Sequence, residues 1–305
     1  MHQHDPYTPI IESLRYLNCC ETEEQFLERL RLTRPIMRGL RKAYKCCPCQ
    51  VDYSCDNTRA AYMLGYYPYY IEIVHTELSN LSPKNLPLSW NNDPINACFF
   101  GGGPCPEIIG WLSFLSDHFP DIRSANAFVF DKYNESWKVC REITRLAVSP
   151  NYWGGEVNIL PVPYDLLDFD TLRSEGAIAA IRSSNLFVMQ NCLNDQTGSK
   201  ESFTNCSQIM NNLLFIIDQA PNDSLILVAD LNFPRSQTLM TTLEMEIQRQ
   251  NLAIPIIPVG KGCHTITPAL SIHDLLNELF TGEDGLIKKK YTNYFSSLIY
   301  KKASG

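Results

Sequence analysis

Three glycines in succession, Gly101-Gly102-Gly103, stand directly after the apolar run Ala97 to Phe100 and just before a helical pattern opened by Pro106. Glycines at such a junction let the backbone turn tightly and approach a ligand with no Cβ in the way. The helix that follows offers free N–H groups to a carboxylate or phosphate. About thirty residues on, Asp131 closes the run Ala127-Phe128-Val129-Phe130-Asp131. An acid at a strand end can accept both hydroxyls of a ribose. Together the two features point to a ligand carrying a nucleoside, bound outside the carboxyl ends of parallel strands.

Other chemistry-bearing residues are more scattered. Cys46-Cys47-Pro48-Cys49, with Cys55 six residues later, gives one C-x-x-C spacing. A closed zinc site needs four ligands, and no second C-x-x-C supplies them, so structural thiols and no metal are expected. Cys98, Cys140 and Cys206 sit in apolar patterns and read as small buried hydrophobes, as does Cys192. His264 and His273 read as surface or capping residues. Tyr62, Tyr66, Tyr67, Tyr69 and Tyr70 form either an aromatic wall over a substrate or a packing face against a sheet. Their partly helical spacing favours packing.

The elements that must position these residues follow from periodicity. Five short apolar runs recur every 30–40 residues, roughly one βαβ unit each: Ala97 to Phe100, Ala127 to Phe130, Val157 to Val162, Leu186 to Met189 and Leu225 to Leu231. Each reads as a strand buried on both faces. Between them lie helical faces: Ile108, Leu112 and Leu115; Val139, Ile143 and Leu146, behind an Asn134 cap; Ile209, Leu213 and Ile217; Leu239, Leu243 and Ile247. This alternation predicts a mostly parallel α/β sheet with helices on both faces. Leu252 to Val259 carries two prolines and suits an edge strand. Tyr294 to Tyr300 reads as a late strand inserted antiparallel beside the fifth. Residues 1–95 read as a helical region. In it, Thr22 and Gln25 form a capping box, Pro35 interrupts or restarts a helix, and a new helix begins near Ala60. Residues 96–305 form the α/β domain.

Composition bounds the partners. The 305 residues carry 26 Lys and Arg against 33 Asp and Glu, a net charge of −7, which argues against coating nucleic acid by bulk charge. The basic clusters Lys288-Lys289-Lys290 and Lys301-Lys302 read as solvated loops and strand ends. No apolar run reaches membrane-spanning length, and the first residues lack signal-peptide character. A cytoplasmic protein with no membrane partner is expected.

In its glycine loop and order of elements, from roughly Ala97 to Lys302, the chain resembles the class I S-adenosylmethionine-dependent methyltransferase superfamily. The resemblance implies a Rossmann-like seven-stranded sheet and S-adenosylmethionine as cofactor. Gly101, Gly102 and Gly103 would form the loop that holds its methionine part, and Asp131, with Tyr133 beside it, would hold the ribose. Asp165 would reach the adenine amino group. Gln190 and Asn191 would border the transferred methyl group and serve as catalytic residues, Gln190 also as a cofactor-binding residue. A small-molecule acceptor is the expected partner, pocketed under the N-terminal helices. Phe99 replaces the usual acid before the first glycine, and Cys105 replaces the third glycine. These departures keep alive a catalytically silent binding or assembly factor of the same shape. Arg59-Ala60-Ala61-Tyr62, Pro68-Tyr69-Tyr70 and Asn191-Cys192-Leu193-Asn194-Asp195 distantly resemble a methyltransferase-like family associated with mitochondrial ribosomes. An NAD(P)-dependent oxidoreductase is the further alternative. It is disfavoured because Pro106 stands where its third glycine belongs and only roughly 70 residues follow the fifth strand.

Overall fold

The computed structural model describes residues 5–44, 51–82, 86–87, 90, 93–193, 202–261, 263–266, 276 and 292–301. Four helices come first: α1 (Tyr7–Leu17), α2 (Glu23–Ala43), α3 (Asp56–Gly65) and α4 (Tyr67–Ser79). In the α2 capping box, the Thr22 hydroxyl accepts from Gln25 N, and Gln25 Oε1 accepts from Thr22 N, both at 3.2 Å. Glu23 and Glu24 at its start and Arg41 and Lys42 at its end complement the helix dipole. Contrary to expectation, Pro35 neither breaks nor restarts α2. It lies on the exposed face, so the carbonyl it leaves free, that of Arg31, is turned to water.

The α/β part runs β1 (Ile95–Phe100), α5 (Pro106–His118), β2 (Ser124–Asp131), α6 (Asn134–Ile143), β3 (Glu156–Pro163), α7 (Phe169–Leu172), α8 (Glu175–Arg182), β4 (Leu186–Gln190), α9 (Ser202–Gln219), β5 (Ser224–Leu231), α10 (Pro234–Arg249), β6 (Ile254–Ile257), β7 (His264–Ile266) and β8 (Thr292–Lys301). The sheet order is β3-β2-β1-β4-β5-β8-β6, seven strands as expected, with short β7 as an eighth paired to β8. β1 to β5 are mutually parallel, and β8 enters antiparallel between β5 and β6.

Strand side chains alternate between two cores. Ala97, Phe99, Val129, Val188 and Leu227 face a cluster shared with α1 to α6. Cys98, Phe100, Phe130, Phe187 and Val228 face a second cluster shared with α8, α9 and α10. β3 departs from the doubly buried reading. It pairs only with β2, at the sheet edge, and of its apolar residues only Val157 is buried.

The helix after β2 also departs from its expected face. Tyr133, not Asn134, occupies the N-cap position, and Asn134 is the first helical residue. A π-type turn, Thr144–Val148, follows α6 and adds an extra residue to the helical period. Trp137, Cys140, Arg141 and Ile143 are buried, while Val139 and Leu146 are 47% and 61% exposed.

α4 lies tightly against α5: a Cβ on Gly110 would stand 2.2 Å from the carbonyl oxygen of Ile71. α4 also carries Glu77, 0% exposed. Its carboxylate accepts from the Tyr294 hydroxyl at 2.6 Å and the Ser296 hydroxyl at 2.8 Å, and pairs with His264 Nδ1 at 3.1 Å. His264 is thus a half-buried tie between β7 and α4 rather than the surface or capping residue its sequence suggested, and His273 lies outside the described residues. Among the described residues no helix is long and apolar enough to cross a membrane.

Candidate cofactor and acceptor cleft

A cleft opens at the carboxyl ends of the parallel strands. It encloses about 960 Å³, open solvent at its mouth included. Each βα junction contributes: Gly101, Gly103 and Pro104 after β1, Asp131 to Tyr133 at β2, Tyr164 to Leu166 after β3, Gln190 to Cys192 at β4, and Leu231 at β5.

The glycine loop is held at almost every peptide. Gly101 has φ +66° and donates its N–H to Phe130 O at 2.7 Å, while Gly103 has φ +49°. Cys105 has φ +69°, the left-handed region that glycine favours, and its N–H bonds Gly102 O at 2.7 Å. The loop therefore keeps a glycine-like path although its third glycine is absent. Gly103 N donates to Asp131 Oδ2 at 2.9 Å, and Tyr133 N donates to Oδ1 at 2.6 Å. From the other side, Arg141 Nη1 donates to Gly103 O at 3.4 Å and Thr144 Oγ1 donates to Pro104 O at 2.6 Å. The buried Tyr67 hydroxyl lies 3.0 Å from Thr144 Oγ1 and completes the relay.

Two acids sit close to the loop. Asp131 is buried, and burial pushes its carboxyl upward against the pull of its two backbone bonds and of Arg141. Glu107, in the first turn of α5, is buried beneath the loop, and burial, with the nearby Asp131 charge adding, raises its carboxyl to about 8. Glu107 is therefore largely protonated at neutral pH. Its Oε1 occupies the space where a Cβ on Gly102 would go, at 2.7 Å.

Of the residues singled out from sequence, Gly101, Gly103, Asp131, Tyr133, Asp165, Gln190 and Asn191 all line the cleft. Gly102 does not; it is turned toward Glu107 and Val129 under the loop. Asp165 Oδ1 accepts from Leu167 N at 2.9 Å and shapes the turn after β3. Gln190 Nε2 donates to Tyr70 O at 3.1 Å, while its Oε1 and both polar atoms of the Asn191 side chain are buried without a hydrogen-bond partner among the described residues. Asp230 fixes the residues after β4, its Oδ2 accepting from Leu193 N at 2.8 Å. Cys192 is half-buried and lines the cleft, so it is less enclosed than its sequence pattern predicted. Cys206 is likewise only half-buried, whereas Cys98 and Cys140 are buried as expected.

The tyrosine group divides. Tyr67 and Tyr69 pack into the core, whereas Tyr62 and Tyr70 line the cleft. Three further aromatics that the sequence did not single out join them: Tyr44, Tyr53 and Trp137. The Tyr44 and Tyr53 hydroxyls hydrogen-bond each other. Tyr53 lies 4.9 Å from Trp137, 5.8 Å from Tyr133 and 6.0 Å from Tyr62 between ring centroids. The density of tyrosine between positions 44 and 70 was the available signal. Which rings face the cleft depends on how α2, α3 and α6 meet.

The cysteine motif Cys46, Cys47 and Cys49 lies outside the described residues. Cys55 is exposed at the N-cap of α3, and among the described residues no three His, Cys, Asp or Glu side chains gather as a metal site.

The chain matches no protein-family model and no curated protein in sequence. Solved structures give matches by shape. An O-methyltransferase family protein from Burkholderia thailandensis aligns with TM-score 0.44 and 12% identity, covering 97% of this chain and 72% of the other. A loganic acid methyltransferase with SAH aligns with TM-score 0.48 and 10% identity, covering 85% and 99%. The N-methyltransferase NodS from Bradyrhizobium japonicum, in complex with S-adenosyl-L-homocysteine, aligns with TM-score 0.40 and 10% identity, covering 88% and 99%.

Proposed function

We propose that this chain is a methyltransferase that draws on S-adenosylmethionine and acts on a small molecule held beneath the N-terminal helices. The observation that carries the reading is the glycine loop after β1, tied through Gly103 N to Asp131 at the end of β2 and opening on the cleft. Ligands of open α/β sheets bind in this crevice outside the strand ends. The residues present fit such a cofactor. A carboxylate offers about four lone-pair sites. Two on Asp131 serve backbone N–H groups, and the others remain for ribose hydroxyls. Gly101 and Gly103 would lie along the methionine part, Tyr133 and Asp165 beside the nucleoside, and Gln190 and Asn191 at the transferred group. The buried, partnerless polar atoms of Gln190 and Asn191 are what a bound ligand would satisfy. The left-handed Cys105 supports binding over a silent fold, because the substitution leaves the path of the loop intact.

Once bound, S-adenosylmethionine supplies an electrophilic methyl group. The chain's part is to orient the acceptor, exclude water with its aromatic wall and keep the nucleophile in line. Titration calorimetry tests the reading. Saturable binding of S-adenosylmethionine and S-adenosylhomocysteine is expected, with none for NAD. Preference for NAD, or no binding of either S-adenosyl compound, would overturn it.

A further inference from the structure

We propose that the acceptor is a neutral amine on a flat aromatic skeleton, with its N–H donating to Gln190 Oε1; this rests on the methyl-transfer reading of the same cleft. Gln190 is 7% exposed. Its Nε2 is committed to Tyr70 O, which can only accept, so the orientation of the amide is fixed. That leaves Oε1 as a buried acceptor with no donor among the described residues. A buried acceptor left unmade is destabilising, so the group that completes it should bring a hydrogen-bond donor. Tyr44, Tyr53, Tyr62, Tyr70 and Trp137 supply flat walls on this side, suited to ring edges and faces.

Charge narrows the class. The charged side chains lining the cleft are Asp131, Lys132 and Asp165. Lys132 lies over the Tyr133 ring, its Nζ 5.0 Å from the centroid, at the nucleoside end. No arginine or histidine lines the cleft among the described residues, so an acceptor bearing a carboxylate or phosphate would lack its usual partner.

The missing histidine also bears on the nucleophile. In the methyl-transfer reading the remaining sites of Asp131 and Asp165 go to the nucleoside, away from the transferred group. An alcohol or phenol must shed a proton to react, and among the described residues no histidine lines the cleft to take it. A neutral amine already carries its lone pair. That pair forms the new N–C bond while the C–S bond of the sulfonium donor breaks and its electrons stay on sulfur. The resulting ammonium releases one N–H proton to solvent. As nitrogen gains charge, its bond to Oε1 becomes charge-assisted and stronger, which favours the transition state over the ground state.

The test uses the full chain and four probes of one shape: 4-methylaniline, 4-methylphenol, p-xylene and 4-methylbenzoate. Tryptophan fluorescence and calorimetry follow binding in the presence of S-adenosylhomocysteine, and mass spectrometry follows methylation. 4-Methylaniline should bind about tenfold more tightly than p-xylene, and it alone should be methylated on nitrogen. Gln190→Leu should level that preference, with S-adenosylhomocysteine affinity measured on the same variant. Tighter binding or preferred methylation of the phenol or the benzoate overturns the amine assignment without touching cofactor binding. An amine preference that survives in Gln190→Leu overturns the role of Oε1. If S-adenosylhomocysteine itself does not bind, it is the methyl-transfer reading that falls. The probe series on the wild type stands even if the variant fails to fold.

Discussion

Asp131 serves the loop before it serves any ligand, since both its oxygens accept backbone N–H groups. Asp131→Ala should therefore weaken S-adenosylhomocysteine binding by about 1–3 kcal/mol, through loss of the loop tie as well as of the ribose contact. Unchanged calorimetric affinity in a variant with native circular dichroism would remove Asp131 from the site. Glu107 makes a different prediction. Its folded-state carboxyl is raised to about 8, above the unfolded value, so the native state holds a proton that the unfolded chain has lost. That stability is full below about pH 4.5 and is lost as pH rises through 8, at no more than about 1.4 kcal/mol per pH unit. Asp131, also raised, adds to the same trend. Glu107→Gln should flatten the fall, so urea midpoints at pH 5.5 and pH 8 should differ less than in the wild type. An equal difference would show that Glu107 is ionised in the folded state. Gly101, Gly103 and Asp131 were legible in the sequence because strand ends and positive-φ turns are local properties. That Gly102 turns under the loop was not legible, because the direction of its missing Cβ depends on Glu107 arriving from the next helix. Tyr44, Tyr53 and Trp137 were not legible, since the end of α2, the approach to α3 and the distant α6 must meet to bring them together.

The π-type turn after α6 decides which side chains reach the loop. It places Thr144 under Pro104 O and lets Tyr67 lock Thr144 from α4. Thr144→Val keeps the shape but leaves the Tyr67 hydroxyl and Pro104 O buried and unpaired. The expected cost is about 1–3 kcal/mol in urea unfolding, with weaker S-adenosylhomocysteine binding, and Thr144→Ser should restore both. If Thr144→Val binds the cofactor like the wild type, the relay does not position the loop. The same turn puts Leu146 out of the regular 3.6-residue register, while Val139, which precedes it, simply lies opposite the buried face through Trp137, Cys140 and Thr144. Periodicity reads regular helices well, as at α5, α9 and α10, and fails where an extra residue enters the turn. It also cannot tell an edge strand from a central one, which is how β3 was taken as doubly buried. The five parallel strands and the antiparallel β8 beside the fifth were legible because the βα rhythm and the late apolar run need no side-chain detail.

At the scale of the molecule, one apolar cluster runs from Tyr7 and Ile10 through Phe26 and Leu30 to the sheet residues Val129 and Leu298. Tyr7, Ile10, Phe26 and Leu30 are almost fully buried, and each such side chain contributes roughly 1.5–3 kcal/mol. Deleting residues 1 to 56 should therefore abolish the cooperative thermal transition and give an aggregating chain, although the glycine loop lies wholly in what is left. A sharp transition in residues 57–305 would instead make the first two helices an accessory layer. The sequence placed a helical region before residue 96, but how far its core merges with that of the sheet depends on side chains some two hundred residues apart.

Glu77 makes the order of assembly matter during synthesis. A ribosome delivers α4 long before β8, yet the Tyr294 and Ser296 hydroxyls that accompany this carboxylate belong to β8. β6 waits on the same strand, because β8 is its neighbour in the sheet and stands between it and β5. The nascent chain thus carries a bare β5 edge and an acid without its two hydroxyl partners until residues 292–301 emerge, an interval in which chaperones would hold the unfinished sheet. In refolding, pulsed hydrogen exchange should find the amides of β1 and β4 protected before those of β8 and β6. Simultaneous protection would mean that the late strand docks as part of the nucleus.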